Sequence, residues 1–97
     1  MHKILRIKKI NTIAAIIVVG RGQEEKGQII ICSDLKIKVS RVKNSETDIV
    51  VKIMEEKLKK KQIMDMIKIN TCPSAKDAVK YRVEIIDAQN LKIILEN

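Results

Sequence analysis

The seven residues from Ile13 to Val19, IAAIIVV, constrain the fold more than any other stretch of the chain. None of them is polar, and all except two alanines are β-branched. A short apolar run of this kind is typical of a strand that is covered on both faces. We therefore predict a buried strand at this position.

The composition of the core also favours strands. The chain lacks Phe and Trp, and Tyr81 is its one aromatic residue, although 45% of its 97 residues are hydrophobic. Isoleucine and valine must then fill the core, and branched aliphatic side chains favour β-structure. A chain of this length forms one domain, so we predict a single domain over residues 1–97.

Alternating apolar residues and turn signals predict further strands on both sides of the middle of the chain. The predicted strands, besides 13–19, are 3–10, 28–32, 35–42, 81–87 and 91–95. All three glycines fall within 20–27, which is therefore predicted to be a hairpin loop. The last two strands, with a turn at 88–90, are predicted to form a C-terminal hairpin.

The stretch from Ser45 to Asn70 is predicted to be mainly helical. Ser45 to Asp48 has the spacing of a helix N-terminal capping box. Acid-before-base pairs at 55–59 and 56–60 have the i,i+4 spacing that stabilises exposed helices. An apolar stripe at spacings of three and four follows the same helical period. This stripe consists of Val51, Met54 and Leu58.

Two interpretations of this stretch remain open. One helix runs from about residue 48 to 68, or a helix ends near Lys61 and residues 63–69 form a strand. A second capping-box spacing, at Ser74 to Asp77, predicts a short helix from Ala75 to about Lys80. The predicted fold class is α+β. It comprises a small, mostly antiparallel sheet (an N-terminal meander of three to four strands and the C-terminal hairpin), one central amphipathic helix and a short second helix.

Charge suggests an anionic partner. The formal net charge is +8, and lysine far outnumbers arginine. Lysine is a point charge without the bidentate fork of arginine, so nucleic-acid contacts would fall on phosphates and give weak sequence preference. The alternative is a lysine- and isoleucine-rich background composition without a binding role.

Three basic sets are the candidate nucleic-acid contacts: the first strand, the strand at 35–42 and the central helix. If the two strands are neighbours, their cations join into one basic surface. Arg21, in the glycine loop, is a further candidate. The candidate residues are Lys8, Lys9, Arg21, Lys36, Lys38, Arg41, Lys57, Lys60 and Lys61. The competing interpretations are a plain hairpin loop for Arg21 and a solvated face for the helix. Because single-strand readers stack bases on aromatic side chains and only Tyr81 is available, a duplex is the expected nucleic acid.

A second function is a homo-oligomeric protein-interaction module, an adaptor or small inhibitor that docks on an acidic or apolar partner surface. Methionine packs against varied shapes, and the two apolar patches of a continuous central helix would point in different directions. One patch would face the sheet and the other a second subunit, which predicts a homodimer. The candidate partner-binding residues are Met54, Leu58, Met64 and Met66. The alternative is that these methionines simply fill the core.

Catalysis, metal binding and cofactors are not predicted. His2 is the one histidine, and Cys32 and Cys72 form no CxxC motif, so four zinc ligands cannot be assembled from Cys and His. We expect two reduced thiols in a cytoplasmic, non-enzymatic protein. The apolar run at 12–19 is too short for a membrane-spanning helix, and no membrane partner is expected.

Overall fold

The computed structural model of the chain describes residues 2–55, 63–73 and 79–96. Eight strands make up nearly all of this part. They are β1 (Lys3–Ile10), β2 (Ile13–Val19), β3 (Glu25–Ser33), β4 (Ile37–Arg41), β5 (Asp48–Ile53), β6 (Ile67–Pro73), β7 (Lys80–Ile85) and β8 (Asn90–Glu96). A single 3-10 turn, Ile63–Asp65, precedes β6.

The strands form two four-stranded antiparallel sheets. The first sheet has the order β1-β2-β3-β6, and the second has the order β4-β5-β8-β7. Each strand alternates side chains between its two faces, and the inner faces of both sheets contribute to one buried cluster. The fold is therefore a β-sandwich with an aliphatic core.

The apolar run Ile13–Val19 forms β2, an inner strand of the first sheet. Ala14, Ile16 and Val18 point into the sandwich and are completely buried. Ala15 and Ile17, on the outer face, are half-buried. The predicted strand is confirmed, but the second sheet covers only its inner face. The outer face is shielded in part by its neighbours within the sheet.

The N-terminal meander is confirmed for β1, β2 and β3, which pair in sequence order. A two-residue turn at Asn11 and Thr12 joins β1 to β2, and Asn11 takes the left-handed conformation (φ 49°) that such turns need. The fourth strand, β4, leaves this sheet and begins the second one. The C-terminal hairpin is also confirmed, because β7 and β8 pair antiparallel.

The predicted α+β class, with its central amphipathic helix, is wrong. Residues 48–53 form strand β5 at the centre of the second sheet. Ile49, Val51 and Ile53 are buried, while Lys52 between them is exposed. This period of two, made of β-branched residues, outweighs the helical spacing of the Val51–Met54 pair.

The capping-box spacing at Ser45 marks a turn and not a helix start. Its hydroxyl oxygen accepts hydrogen bonds from the backbone N–H groups of Thr47 (3.3 Å) and Asp48 (3.1 Å). These are the bonds of a serine turn, which serine forms in the same way at helix N-termini and at bends. Here the bend leads directly into β5.

The remainder of the central stretch also departs from the single-helix prediction. The alternative strand is right only from Ile67, where β6 begins and pairs with β3. Residues 56–62, with the predicted acid–base helix pairs, lie outside the described residues. The predicted short second helix falls mainly on 75–78, which are likewise outside them, and Lys80 begins strand β7.

Candidate nucleic-acid interface

Strands β1 and β4 lie side by side along one edge of the sandwich, although they belong to different sheets. Two side chains cross between them. The ammonium group of Lys9 donates to the carbonyl oxygen of Ile37 (3.0 Å), and the guanidinium group of Arg41 donates to that of Leu5 (2.7 Å). Each strand thereby satisfies a backbone acceptor that the outer side of an edge strand would leave to solvent.

We call the cations of these two strands the basic edge. Strand β1, KILRIKKI, and strand β4, IKVSR, contain six basic residues and no carboxylate. The basic edge consists of Lys3, Arg6, Lys8, Lys9, Lys38 and Arg41. The sequence left open whether the two basic strands are neighbours, and the crossing hydrogen bonds show that they are.

Ion pairing does not neutralise the basic edge. Within residues 2–55, 63–73 and 79–96, the salt bridges join Lys26 to Glu24 and Arg82 to Glu84 and Glu96. All of these lie outside β1 and β4. Of the six cations, Lys9 and Arg41 bond to backbone carbonyls, and the exposed Arg6, Lys8 and Lys38 carry their charge into solvent.

The candidates Lys36 and Arg21 extend the two ends of the edge. Lys36 is exposed and directly precedes β4. Arg21 follows β2 at the opposite end, where it lines a small cleft with Lys3 and Glu46. The carboxylate of Glu46 makes this second end less basic than the β1–β4 strands themselves.

The glycine loop does not present a vacant anion site. The N–H of Gly20 donates to the carbonyl of Glu24 (2.8 Å), and the N–H of Gln23 donates back to the carbonyl of Gly20 (3.1 Å). The Glu24 carboxylate folds over the loop, so a side chain at Gly20 would collide with it. Its pKa is lowered by a hydrogen bond from its own backbone N–H, by Lys26 and by the N–H of Gly22. The Glu24 carboxylate thus occupies the position over the loop that a bound phosphate would need.

The remaining basic candidates, Lys57, Lys60 and Lys61, lie outside the described residues, as does the partner-binding candidate Leu58. One exposed cation that the sequence analysis overlooked is Lys52, which lies directly opposite Lys38 in the second sheet. The alternation of Ile49, Val51 and Ile53 was the signal that could have placed Lys52 on an outer face.

The described methionine candidates differ in their exposure. Met66 is half-buried and packs against the core, as the core-filling alternative predicts. Met54, which follows β5, and Met64, in the 3-10 turn, are exposed. Only the latter two are therefore available to a partner.

Metal and disulfide sites require suitable side chains that lie close together. The described part of the chain contains no group of three or more His, Cys, Asp or Glu residues suited to a metal ion. Cys32 and Cys72 are free thiols on the outer face of the first sheet. Cys32 in β3 pairs with Lys68 in β6, and Cys72 lies four residues further along β6. The two cysteines are therefore offset by about 13 Å along the strands, beyond the reach of a disulfide. Within residues 2–55, 63–73 and 79–96, none of the helical segments has the length and hydropathy of a membrane span.

No protein-family model, curated protein or solved structure matches this chain. The geometry and charge of its own residues therefore carry the functional argument.

Proposed function

We propose that the chain is a non-enzymatic protein that binds nucleic acid through phosphate contacts along the basic edge. The observation that carries this proposal is the charge of two adjoining strands: six cations and no carboxylate on β1 and β4. A surface of one sign raises the local concentration of an oppositely charged polymer and speeds its association. Among neighbouring pairs of described strands, β1 and β4 carry the largest excess of positive charge.

The length of the edge suits a polyanion better than a small anion. Strand β1 has eight residues and extends over about 26 Å at the usual rise of a β-strand. Along one strand of a DNA duplex, this distance includes roughly seven phosphates at ~3.4 Å each along the helix axis. Exposed cations spaced along such a line can each meet a phosphate without converging on a single pocket.

A duplex is the expected form of the nucleic acid. Tyr81, the one aromatic residue of the chain, lies in β7, the edge strand of the second sheet farthest from β4. It packs against the core and is not on the basic edge. Without an aromatic platform for stacked bases, binding depends on the regular phosphates of a duplex, and its sequence preference is weak.

The test is the salt dependence of binding to a labelled duplex. With four to five phosphates neutralised, the plot of log affinity against log salt has a slope of about −4. Lys8→Glu with Lys38→Glu reverses two exposed charges of the basic edge, and we expect the slope to become shallower by about two. A labelled single strand measured in the same series separates duplex from single-strand preference.

The matched control is Lys68→Glu with Lys80→Glu. These two lysines are also exposed, lie on the edge strands β6 and β7 away from the basic edge, and change the net charge by the same amount. We expect the control to keep most of the parental slope. An equal loss in both double variants would assign binding to net charge and not to this edge. A parent that does not bind duplex even at low salt would overturn the proposal.

A further inference from the structure

The exposed apolar side chains of the described residues are concentrated at one end of the sandwich. Seven large hydrophobic residues are exposed in this part of the chain, and six of them lie at the end that holds the β1–β2 and β7–β8 turns. The six are Ile10, Ile13, Met54, Met64, Ile85 and Ile86. The seventh, Leu5, lies within β1. Single exposed apolar residues need no explanation, whereas the gathering of six of the seven at one end points to an interaction surface.

Backbone hydrogen bonds tie these positions together across the end. The carbonyl of Asn11, between Ile10 and Ile13, accepts from the N–H of Ile37 (3.0 Å). The carbonyl of Lys36, the residue before Ile37, accepts a hydrogen bond from the N–H of Met54 (2.9 Å). These bonds connect the β1–β2 turn of the first sheet to the end of β5 in the second.

Two more bonds extend the same surface to its other corners. The carbonyl of Gln89, in the β7–β8 turn beside Ile85 and Ile86, accepts from the N–H of Ile53 (2.8 Å). On the first sheet, the carbonyl of Met66 accepts from the N–H of Asp34 (3.1 Å) and holds the 3-10 turn with Met64 at this end. We call the six exposed residues at this end the apolar end.

We propose that the apolar end is an interface between two copies of this chain, joined end to end about a two-fold axis. Among the described residues of this end, charges of both signs surround the apolar residues. Asp34, Asp65 and Asp87 are exposed in the connections of this end. Lys8, Lys36 and Lys68 are exposed beside Ile10, Met54 and the start of β6. A two-fold interface places a patch against itself, so a mixed-sign rim can pair with its own copy. A strongly acidic or a strongly basic partner surface would meet like charge at three of these six described residues.

The size of the end predicts a weak dimer. The molecule measures 43 × 23 × 19 Å. Four strands at ~4.8 Å and two sheets ~10 Å apart account for the shorter dimensions, so the long axis follows the strands. The end is then a rectangle of about 23 × 19 Å. Two such faces bury less than the ~1,200–2,000 Å² of stable specific interfaces, so we expect a weak and reversible association.

Salt acts on this contact in the direction opposite to its effect on nucleic-acid binding. Two chains of formal charge +8 repel each other, and salt screens that repulsion while apolar burial persists. Dimerisation therefore strengthens with salt, whereas duplex binding weakens. Because the two salt dependences differ in sign, failure of either proposal can be recognised independently of the other.

The first measurement is the molar mass by light scattering and sedimentation over a wide concentration range. Ile10→Thr with Ile86→Thr keeps β-branched side chains while removing apolar surface, and we expect the dimerisation constant to weaken at least tenfold. The matched control is Leu5→Thr, since Leu5 is as exposed as Ile86 (52% and 53%) but lies away from the apolar end. We expect it to dimerise like the parent.

The second measurement uses methionine methyl resonances in a dilution series. Met54 and Met64 are exposed at the apolar end, and their signals shift with concentration, while the half-buried Met66 provides an internal reference. A protein that stays monomeric over the whole concentration range would overturn the proposal, and the apolar end would then have to bind a different partner. A dimer that weakens with Leu5→Thr but not with the double variant would overturn it as well.

Discussion

Lys38 and Lys52 lie directly opposite each other on neighbouring strands of the second sheet, and both side chains are exposed on its outer face. Like charges in this relationship destabilise a sheet, because directly opposed side chains are within about 5.5 Å of each other at Cβ. We therefore expect this pair to cost the fold some stability, a cost that the attraction between Lys52 and the nearby carboxylate of Asp87 reduces. A phosphate above the pair would relieve the repulsion.

Lys38→Glu is expected to change stability and binding in opposite directions. The variant replaces a repulsive pair with an attractive one, so the free energy of unfolding rises by about 0.5–1 kcal/mol at low salt. The gain shrinks as salt is added, since both groups are exposed. Urea unfolding at two salt concentrations measures this gain in unfolding free energy. Lys38→Gln removes the repulsion without adding an attraction, so we expect about half of the gain. A destabilised Lys38→Glu would contradict the register of β4 against β5.

Arg41→Ala is expected to destabilise the fold, because it removes the hydrogen bond that connects the second sheet to Leu5 of the first. For an exposed bond with a charged donor, the loss is about 0.5–1.5 kcal/mol. The control is Arg6→Ala, a truncation of another exposed arginine on the same edge, with an expected change within ~0.5 kcal/mol. Equal effects of the two substitutions in urea unfolding would show that the crossing bond adds no stability.

Adjacent isoleucines in β2 provide a test of which face points inward. Ile16 is completely buried between the sheets, and Ile17 lies half-buried on the outer face. Ile16→Ala leaves a cavity and is expected to cost about 2–5 kcal/mol of unfolding free energy. Ile17→Ala is expected to cost less than ~1.5 kcal/mol, because water and neighbouring side chains can fill the space. Thermal and urea unfolding of the two variants measure this difference. A larger loss for Ile17→Ala than for Ile16→Ala would show that the other face of β2 points into the core.

Acid is expected to weaken the fold through Asp87 in the β7–β8 turn. Its carboxylate accepts hydrogen bonds from the N–H of Gln89 (2.8 Å) and from the N–H and side chain of Asn90 (both 2.9 Å), and these lower its pKa. A carboxyl group whose pKa is lower in the folded than in the unfolded chain stabilises the fold above the unfolded value, ~3.9. This stabilisation disappears as the pH falls through the folded pKa.

Carboxyl NMR titration measures the pKa of Asp87 directly, and we expect a value below that of an unfolded aspartate. Asp87→Asn removes the titrating group. The difference in unfolding free energy between parent and variant is therefore expected to be constant near neutral pH and to shrink in acid, below about pH 4. A difference that does not change with pH would show that the turn does not use the charge of Asp87.

The strands could be predicted wherever the chain alternates or runs apolar between clear turns, as in β2 and in the C-terminal hairpin. The stretch that failed carries conflicting local signals. Ser45 makes the same hydrogen bonds at a bend as at a helix start, so its spacing does not distinguish them. The alternation of Ile49, Val51 and Ile53 favours a strand, and burial of these three residues against the first sheet decides between the conflicting signals. That contact is between residues distant in sequence, which a local pattern does not contain.

The basic edge could be predicted in part. Its members were recognised as two basic sets, and their adjacency was a condition that the sequence left open. The crossing bonds of Lys9 and Arg41 could not be foreseen, because they join residues 28 and 36 positions apart. The apolar end was missed for a related reason. Residues as distant in sequence as Ile10 and Ile86 come to the same end of the molecule only after two sheets have been stacked.

The cations that border β1 and β4 also affect the solubility of an isoleucine-rich sheet. Unprotected edge strands recruit strands from other molecules, and lysine on an edge is one of the ways in which natural sheets prevent this. When a polyanion neutralises the edge, that protection is lost. If the protein binds a polyanion as proposed, we therefore expect it to be most prone to edge-to-edge aggregation in complexes near charge balance, and an excess of either component to keep it dispersed.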